Sequence, residues 1–536
     1  MPEYLSPGVY VEEVSAGPVP IEGVSTSTAG FVGLTERGPT ATRLVTSWLE
    51  YYRWFGGHID PADSFLPRAV QGFFDNGGQR LFISRITRTD AAAANLDLAT
   101  ADPAQLLQLV AIGPGDWGNR LFARVTGASK TTLGGFQFRV TLLYYEIAPP
   151  VPFVDPLDPA NIANRDRREP DVIEEFDGLG LNPVGPGYAI TSVNAVSRLV
   201  RVDWTAANTP QSRPADVGFT PFLNGGDGVN AMTAAEYIGD PAQPVDVRSG
   251  LAALEAIDEI SILAVPDEIH PALNAANQTQ VTNELVNQCE RLRDRFAVLA
   301  VASGQGDVQQ IQPPRDSSYG AIYYPWIRVF DPVTSDTILV PPQGHVVGIY
   351  ARTDVERGVH KAPANSEVRG IITRDLNGNR GPLEFNVTKG QHDILNPRGV
   401  NVVRDFRPAR RGIRVWGART MSSDTQWRYV NVRRLFIFVE ESIDQGTQWV
   451  VFEGNYEATW ARVVRSISNF LTSVWRDGAL AGTTPEEAFF VKCDRTTMTQ
   501  DDIDNGRLIC LIGIAPVKPA EFVIFRISQL TIEAQA

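Results

Sequence analysis

The sequence predicts a multidomain chain of α/β and α+β character: a mixed-sheet α/β domain carrying an inserted β-rich domain, an α+β C-terminal domain, and a strand-like arm at each terminus. Three observations predict it. Apolar runs at residues 260–265 and 296–301 flank a helical stretch at about 278–295, the spacing of a βαβ crossover, which calls for some parallel sheet. Between about 113 and 221 the pattern becomes strands separated by polar, Pro/Gly-rich loops, as in an insertion displayed on a surface. Finally, the chain ends carry β-branched and aromatic runs flanked by prolines, which look like strands without a sheet of their own.

These patterns divide the chain into an N-terminal arm at 1–22, an α/β domain at 23–99 plus 223–375, an inserted β-rich domain at 100–222, a C-terminal domain at 376–515 and a C-terminal arm at 516–536. The first arm is the run Val9-Tyr10-Val11, entered through Pro7-Gly8 and broken by Gly17, Pro18 and Pro20. Residues 31–34 form a short strand, Ser47 caps a helix carrying Trp48, Leu49, Tyr52 and Phe55, and residues 80–86 form a second strand after the turn Asn76-Gly77-Gly78. An Ala/Asp-rich connector occupies 90–103, and the clearest strands of the insertion lie at 121–125, 136–145 and 197–204. A Gly-rich turn at 224–228 leads to a helix at 250–257 and the crossover.

From about 377 the chain becomes rich in Arg and Trp. Residues 435–439 read as a strand, and 449–476 as one long amphipathic helix, with Trp460, Val463, Val464, Ile467, Phe470, Leu471 and Val474 at three- and four-residue steps. Gly478 stops the helix, and Thr484-Pro485-Glu486-Glu487 is a helix start, with a cap, a first-turn proline and acids facing the positive end of the dipole. The run Phe522-Val523-Ile524-Phe525, continued by Ile527, follows a spacer made extended by Pro516 and Pro519. It pairs either within its own fold or with a neighbouring copy.

The 536 residues exceed a single core; 43% are hydrophobic and 21% charged, an ordinary water-exposed composition. A net charge of −14 argues against a surface built to grip phosphates, although nine arginines between 404 and 434 interleave with Trp416 and Trp427 as in a nucleic-acid groove. Against the total charge, partner-protein or intersubunit ion pairs are the favoured reading of those arginines. The five lysines leave nearly all positive charge to arginine, the residue of fixed, bidentate contacts. Cys289, Cys493 and Cys510 form no metal or disulfide framework and read as core fillers made in a reducing compartment. The N-terminus lacks the features of a signal peptide and no apolar run approaches the roughly 20 residues of a membrane span, so synthesis in the cytoplasm without direct membrane insertion is expected.

Catalytic spacing is missing: no GxxxxGK[ST], HExxH or GxSxG occurs. The one GxGxxG, Gly113 to Gly118, holds Pro114 and Asp116 where a pyrophosphate would lie and leads into a strand, so it reads as a tight turn. The histidines show no ligand spacing, and Asp227 between glycines is a turn residue before it is a metal or phosphate ligand. No catalytic, metal or cofactor residue is assigned.

The ordered set Pro7-Gly8-Val9-Tyr10, Gly115-Asp116-Trp117-Gly118-Asn119, Gly225-Gly226-Asp227-Gly228, Tyr323-Tyr324-Pro325-Trp326, Pro341-Pro342-Gln343-Gly344-His345, Arg357-Gly358 with Lys361-Ala362-Pro363-Ala364, Arg414-Val415-Trp416-Gly417-Ala418-Arg419-Thr420, Trp427 to Arg434, and Ala515 to Phe522 resembles the contractile tail sheath family, most specifically after Tyr319. The resemblance implies a sheath subunit of a contractile phage tail or phage-tail-like injection particle. Such a subunit is a helical homo-oligomer of stacked six-membered rings around an inner tube protein, with baseplate and terminator or cap proteins as partners. It also implies that arms centred on Val9, Tyr10 and Val11 and on Phe522, Val523, Ile524, Phe525 and Ile527 are donated to sheets of neighbouring subunits. On the long helix, Arg462, Arg465 and Arg476 are expected to face acidic groups of the tube; a solvated or intersubunit face is the alternative. The competing classes are an α/β hydrolase-like enzyme with a site near Asp227 and His345, and a capsid or surface-lattice protein.

Overall fold

The computed structural model describes residues 20–100, 106–129, 137–185, 187–204, 213–372 and 381–526. Contacts divide the chain into two units. The larger comprises Ser27–Arg352 and Pro363–Arg428; the smaller comprises Met1–Thr26, Thr353–Ala362 and Tyr429–Ala536.

The larger unit is built on a nine-stranded sheet in the spatial order Ser366–Glu367, Ile413–Trp416, Val400–Asp405, Gly320–Tyr324, Phe296–Ala300, Ile262–Ala264, Thr28–Gly33, Arg80–Arg85, Arg43–Val45. From Val400–Asp405 to Arg80–Arg85 neighbours run parallel, and the strands outside them are antiparallel. Thr28–Gly33, Ile262–Ala264, Phe296–Ala300 and Gly320–Tyr324 are buried along their whole length, which is why each reads as a continuous apolar run without alternation. The outermost strands are short and carry Arg43 and Glu367, which blunts both edges.

The expected crossover is the helix Ala275–Leu292 between the parallel strands Ile262–Ala264 and Phe296–Ala300. Asn274 caps it, accepting a bond from the Asn277 amide at 2.9 Å, and Val281, Leu285, Val286 and Cys289 face the core. Ser47 likewise caps Trp48–Phe55, accepting from the Glu50 amide.

Between Arg80–Arg85 and Ile262–Ala264 the chain makes two further sheets. One orders Asn95–Ala99, Leu106–Ala111 and Val200–Trp204; the other orders Val217–Pro221, Leu121–Gly127, Phe138–Tyr144 and Val172–Leu179. They share a core of their own, with Leu107, Leu109, Trp117, Leu121, Val125, Leu142 and Val202. The connector expected at 90–103 contributes the strand Asn95–Ala99, whose Leu98 enters that core. The Asp/Ala composition there conceals inward apolar positions at Ala94 and Leu98, with Leu96 packed against the same core.

Two expectations fail in the C-terminal part. Residues 435–439 are not a strand but the middle of the helix Val430–Thr447. Leu-Phe-Ile-Phe-Val satisfies strand propensity locally, yet it sits in 18 residues free of proline, with Arg433 and Arg434 before it and Glu440 and Glu441 after, and burial of Val430, Leu435 and Val439 decides for a helix. Second, the expected boundary at 376 gives way to one at 428, because Val400–Asp405 and Ile413–Trp416 extend the large sheet. The long helix expected from 449 starts at Glu457, preceded by the short turn Gln448–Val450.

The smaller unit packs Val430–Thr447 and Glu457–Arg476 around Leu435, Val439, Val463, Ile467, Phe470, Leu471 and Val474, with Leu480 and Ala488 from the following segment. The antiparallel hairpin of Phe489–Lys492 and Leu511–Ile514 closes the unit. Among the described residues no helix is long and apolar enough to cross a membrane.

Candidate assembly site

Both chain ends are rooted in the smaller unit. At the first root, residues entering the described chain lie along Val430–Thr447: the Val24 amide donates to Ser442 Oγ at 3.1 Å, and Ile21 sits so close over Gly446 that a Cβ there would meet its side chain at 2.7 Å. Gly446 is therefore what lets the backbone approach. Arg434 locks the same root. Its guanidinium makes a fork to Asp354 at 2.7 and 3.0 Å and a third bond to the Thr26 carbonyl at 2.8 Å, with both charged side chains at most 3% exposed. Burial pushes the Asp354 carboxyl above its usual range, and the Arg434 charge works against that shift. Val9, Tyr10 and Val11 lie outside the described residues.

At the second root, Leu511–Ile514 runs on into a short pairing with residues 479–481. The Ala481 amide donates to the Ala515 carbonyl at 2.8 Å, Leu480 bridges Pro516, and the Val517 amide donates to the Ala479 carbonyl at 3.1 Å. Asn431 Nδ2 holds the Val517 carbonyl at 3.2 Å, and the Tyr429 hydroxyl reaches Glu521 Oε2 at 3.2 Å. Beyond that point the chain makes no ladder up to Arg526. Phe522, Val523, Ile524 and Phe525 are 71, 68, 79 and 83% exposed. Among the described residues, 521–526 thus form no strand within the single chain; a run apolar on both faces needs a ladder and cover to become one. Ile527 lies outside the described residues.

The same unit carries the hairpin of Phe489–Lys492 and Leu511–Ile514. Its register pairs Phe489 with Ile514, Phe490 with Gly513, Val491 with Ile512 and Lys492 with Leu511. Alternation sends Phe489, Val491 and Ile514 onto the helical core, while Phe490 and Leu511, 58 and 51% exposed, stand on the other face. The Phe490 ring lies across Gly513, where a Cβ would meet it at 2.2 Å. Only two strands make up this sheet among the described residues, so each has an outer edge of unpaired backbone groups.

The helix Glu457–Arg476 buries Trp460, Val463, Ile467, Phe470, Leu471 and Val474 and turns Arg462, Arg465 and Arg476 to the opposite stripe. Arg462 is engaged locally, paired with Glu453 at 3.0 Å and stacked 5.0 Å from the Trp449 ring. Arg465 and Arg476 are exposed and make no ion pair among the described residues.

The other sequence candidates settle into structural roles. Asp227 Oδ1 accepts from the Asp116 amide at 2.9 Å, so the two Gly-rich turns brace each other. His345 is buried against Gly72, its pKa pushed down to about 4 by burial, and does not line the depression of about 300 Å³ that Asp227 borders. In the larger unit Arg407 chelates Asp405, Arg404 and Arg411 stack on Phe406, and Arg419 bonds the Asn396 carbonyl. In the smaller unit Arg433 and Arg434 are buried. Sequence reasoning missed the hairpin and the Arg434–Asp354 lock. The first carries only a short apolar run, Phe489-Phe490-Val491, as its signal; the second had no local signal, its partners being 80 residues apart.

Comparison with known proteins adds the family. Residues 231–421 match the model of the phage tail sheath protein central domain, and 422–529 match that of the phage tail sheath C-terminal domain; together they span more than half of the chain. A protein named as the major tail sheath protein of a Pseudomonas aeruginosa prophage (strain UCBPP-PA14) is 24% identical over 56% of this chain and 81% of its own length. The tail sheath protein of Burkholderia phage BcepMu is 27% identical over 47% of this chain and 53% of its own. The fold is shared with the helical sheath of the anti-feeding prophage in its contracted state, at a TM-score of 0.57 and 23% identity over 98% of this chain and 99% of that one. It is also shared with the contracted PVC sheath of an extracellular contractile injection system, at 0.56 and 21% over 100% of both. Two adjoining sheath domains matched in sequence, and a fold held from end to end with two contractile sheaths, make this chain a member of the phage tail sheath protein family.

Proposed function

We propose that this chain polymerises as stacked six-membered rings around an inner tube, and that it contracts to drive the tube through a target envelope. Its part is structural and not catalytic. The observation that carries the reading is the run Phe522 to Phe525, four consecutive exposed apolar side chains on a segment rooted beside a two-stranded sheet with open edges. Strand addition joins such parts: the donated backbone fills an edge, and alternate side chains find pockets on the acceptor. In this reading the hairpin of Phe489–Lys492 and Leu511–Ile514 receives Phe522, Val523, Ile524, Phe525 and Ile527 of a neighbouring copy, and the arm around Val9, Tyr10 and Val11 makes the second joint.

Pro516 and Pro519 keep the spacer extended, so the joints persist while subunits repack around them, and the work of contraction comes from a metastable lattice falling to a better-packed one. Arg465 and Arg476 face acidic groups of the tube, with Arg462 a weaker contributor because Glu453 already holds it. Baseplate and cap proteins bound the polymer at its ends. The chain acts in a phage virion or a released phage-tail-like particle.

The test is removal of residues 521–536 from the full chain, followed by sedimentation and negative-stain microscopy. Folded monomers without cylinders are the expected result. Intact striated cylinders from the truncated chain would overturn the role of the arm, and discrete small oligomers from the untruncated chain would favour an enzyme.

A further inference from the structure

Cys493 directly follows the strand Phe489–Lys492, and Cys510 directly precedes Leu511–Ile514. The ladder pairs Lys492 with Leu511, so one further step places Cys493 opposite Cys510 at the end of the hairpin. Facing residues of an antiparallel pair have Cα atoms about 4.5–5.5 Å apart, within the window a disulfide spans. The side chains come together as well: both pack with Trp460 and Met498 in one small apolar cluster. Cys493 is buried and Cys510 only half-buried.

We propose that Cys493 and Cys510 form a cross-strand disulfide within the chain when it meets an oxidising medium, clamping the hairpin where its strands leave the sheet. The proposal rests on the hairpin geometry and not on the assembly reading. The co-reactant is a small disulfide such as oxidised glutathione. Cys510 is the attacking group, because it is the more accessible of the two. Its sulfur bonds one glutathione sulfur and expels the other as a thiol. Cys493 then loses its proton, attacks the Cys510 sulfur and expels the second glutathione thiol. Two protein thiols are oxidised, one small disulfide is reduced, and two glutathione thiols leave. Burial pushes Cys493 up to about 12 and also raises Cys510, which makes the exchange slow and keeps both thiols reduced in a reducing compartment.

A sheet of two four-residue strands is marginal in isolation, so a covalent tie at its end fixes the register that any added strand must read. Cys289, fully buried on the helix Ala275–Leu292, is the internal control.

The experiment uses the purified full chain, incubated with oxidised glutathione, denatured in a maleimide and mapped by peptide mass. The expected result is a fall from three titratable thiols to one, loss of the mass of two hydrogens, a Cys493–Cys510 linked peptide and reversal by dithiothreitol. Cys493→Ser is expected to stop at a glutathione adduct on Cys510. A stable adduct on Cys510 of the unsubstituted chain, a link between two chains, or three free thiols in a chain that remains folded would each overturn the proposal.

Discussion

Ile524→Ala is the sharpest test of how the C-terminal segment works. In the free chain Ile524 is 79% exposed and lies in a segment without a ladder, so truncation leaves the unfolding free energy within about 0.5 kcal/mol of its value. On capture by an acceptor sheet the same side chain goes from mostly wet to buried. Full burial of an Ile contributes roughly 1.5–3 kcal/mol, and since about a fifth of this one is already covered and an alanine remains, about 1–2 kcal/mol is lost per joint. That is roughly a 5- to 30-fold weaker joint. Alternation puts Phe522 and Ile524 on one face of the bound strand and Val523 and Phe525 on the other, so paired alanines on the core-facing side weaken assembly more than pairs on the outer side. The assay is the critical concentration for polymerisation, read by sedimentation and checked against thermal unfolding of the monomer. An unchanged critical concentration for both pairs refutes strand donation by this segment. A matching fall in monomer stability refutes it differently, by placing the segment in the chain's own core.

Three further outcomes follow from the geometry. Asp354→Ala leaves Arg434 buried and uncompensated and is expected to destabilise the chain by about 3–5 kcal/mol in chemical denaturation, whereas replacing both Asp354 and Arg434 by apolar residues of similar volume recovers most of the loss. Glu268, buried between the Ala300 amide, the Thr282 hydroxyl and Gln343, has its pKa pushed up by burial from the ordinary 4.5 to about 8. Between these values the folded chain holds a proton that the unfolded chain releases, so this contribution is complete below about pH 4.5 and is lost as pH rises through 8; Glu268→Gln is expected to flatten that slope in denaturation curves from pH 5 to 9. Charge reversal at Arg465 and Arg476 is expected to leave folded, polymerising subunits whose cylinders lack the tube by electron microscopy, while Arg462→Glu has a smaller effect; tube-filled cylinders from the double variant would remove the tube contact.

The parts legible in the sequence were those whose physics is local. The βαβ spacing around Ala275–Leu292 found the parallel sheet, because a buried strand is apolar throughout and a crossover helix has a fixed length. The Ser47 and Thr484-Pro485 helix starts depend on neighbours within one turn, and both precede helices, Ser47 capping its own through its side chain and Thr484 making no such bond. Leu435 to Val439 was misread because five residues satisfy strand propensity, while the helix is decided by the 18-residue span and by burial against Glu457–Arg476, which is a tertiary fact. The terminal run Phe522 to Phe525 was singled out correctly as apolar in an unusual place, but propensity alone named a strand where the isolated chain has none. A ladder belongs to a pair, and one member of that pair is not encoded in the run itself.

The exposed run also bears on when the polymer forms. Burying Phe522 to Phe525 contributes roughly 1.5–3 kcal/mol per side chain, while fixing the backbone costs about 1–2 kcal/mol per residue, so the two terms nearly cancel and a single joint is weak. Ladder hydrogen bonds add about 1 kcal/mol each, enough to favour capture but not to hold two free subunits together at low concentration against the loss of independent motion. On the proposed strand donation, however, each subunit brings two arms and, in the hairpin, an acceptor. Once a first layer is fixed, the second joint of each incoming subunit forms at a high effective concentration, and the polymer holds far more tightly than any one joint. On that proposal, weak joints in pairs leave subunits unassembled until a nucleating surface presents acceptors already in register, and growth from such a surface is the behaviour that strand donation predicts.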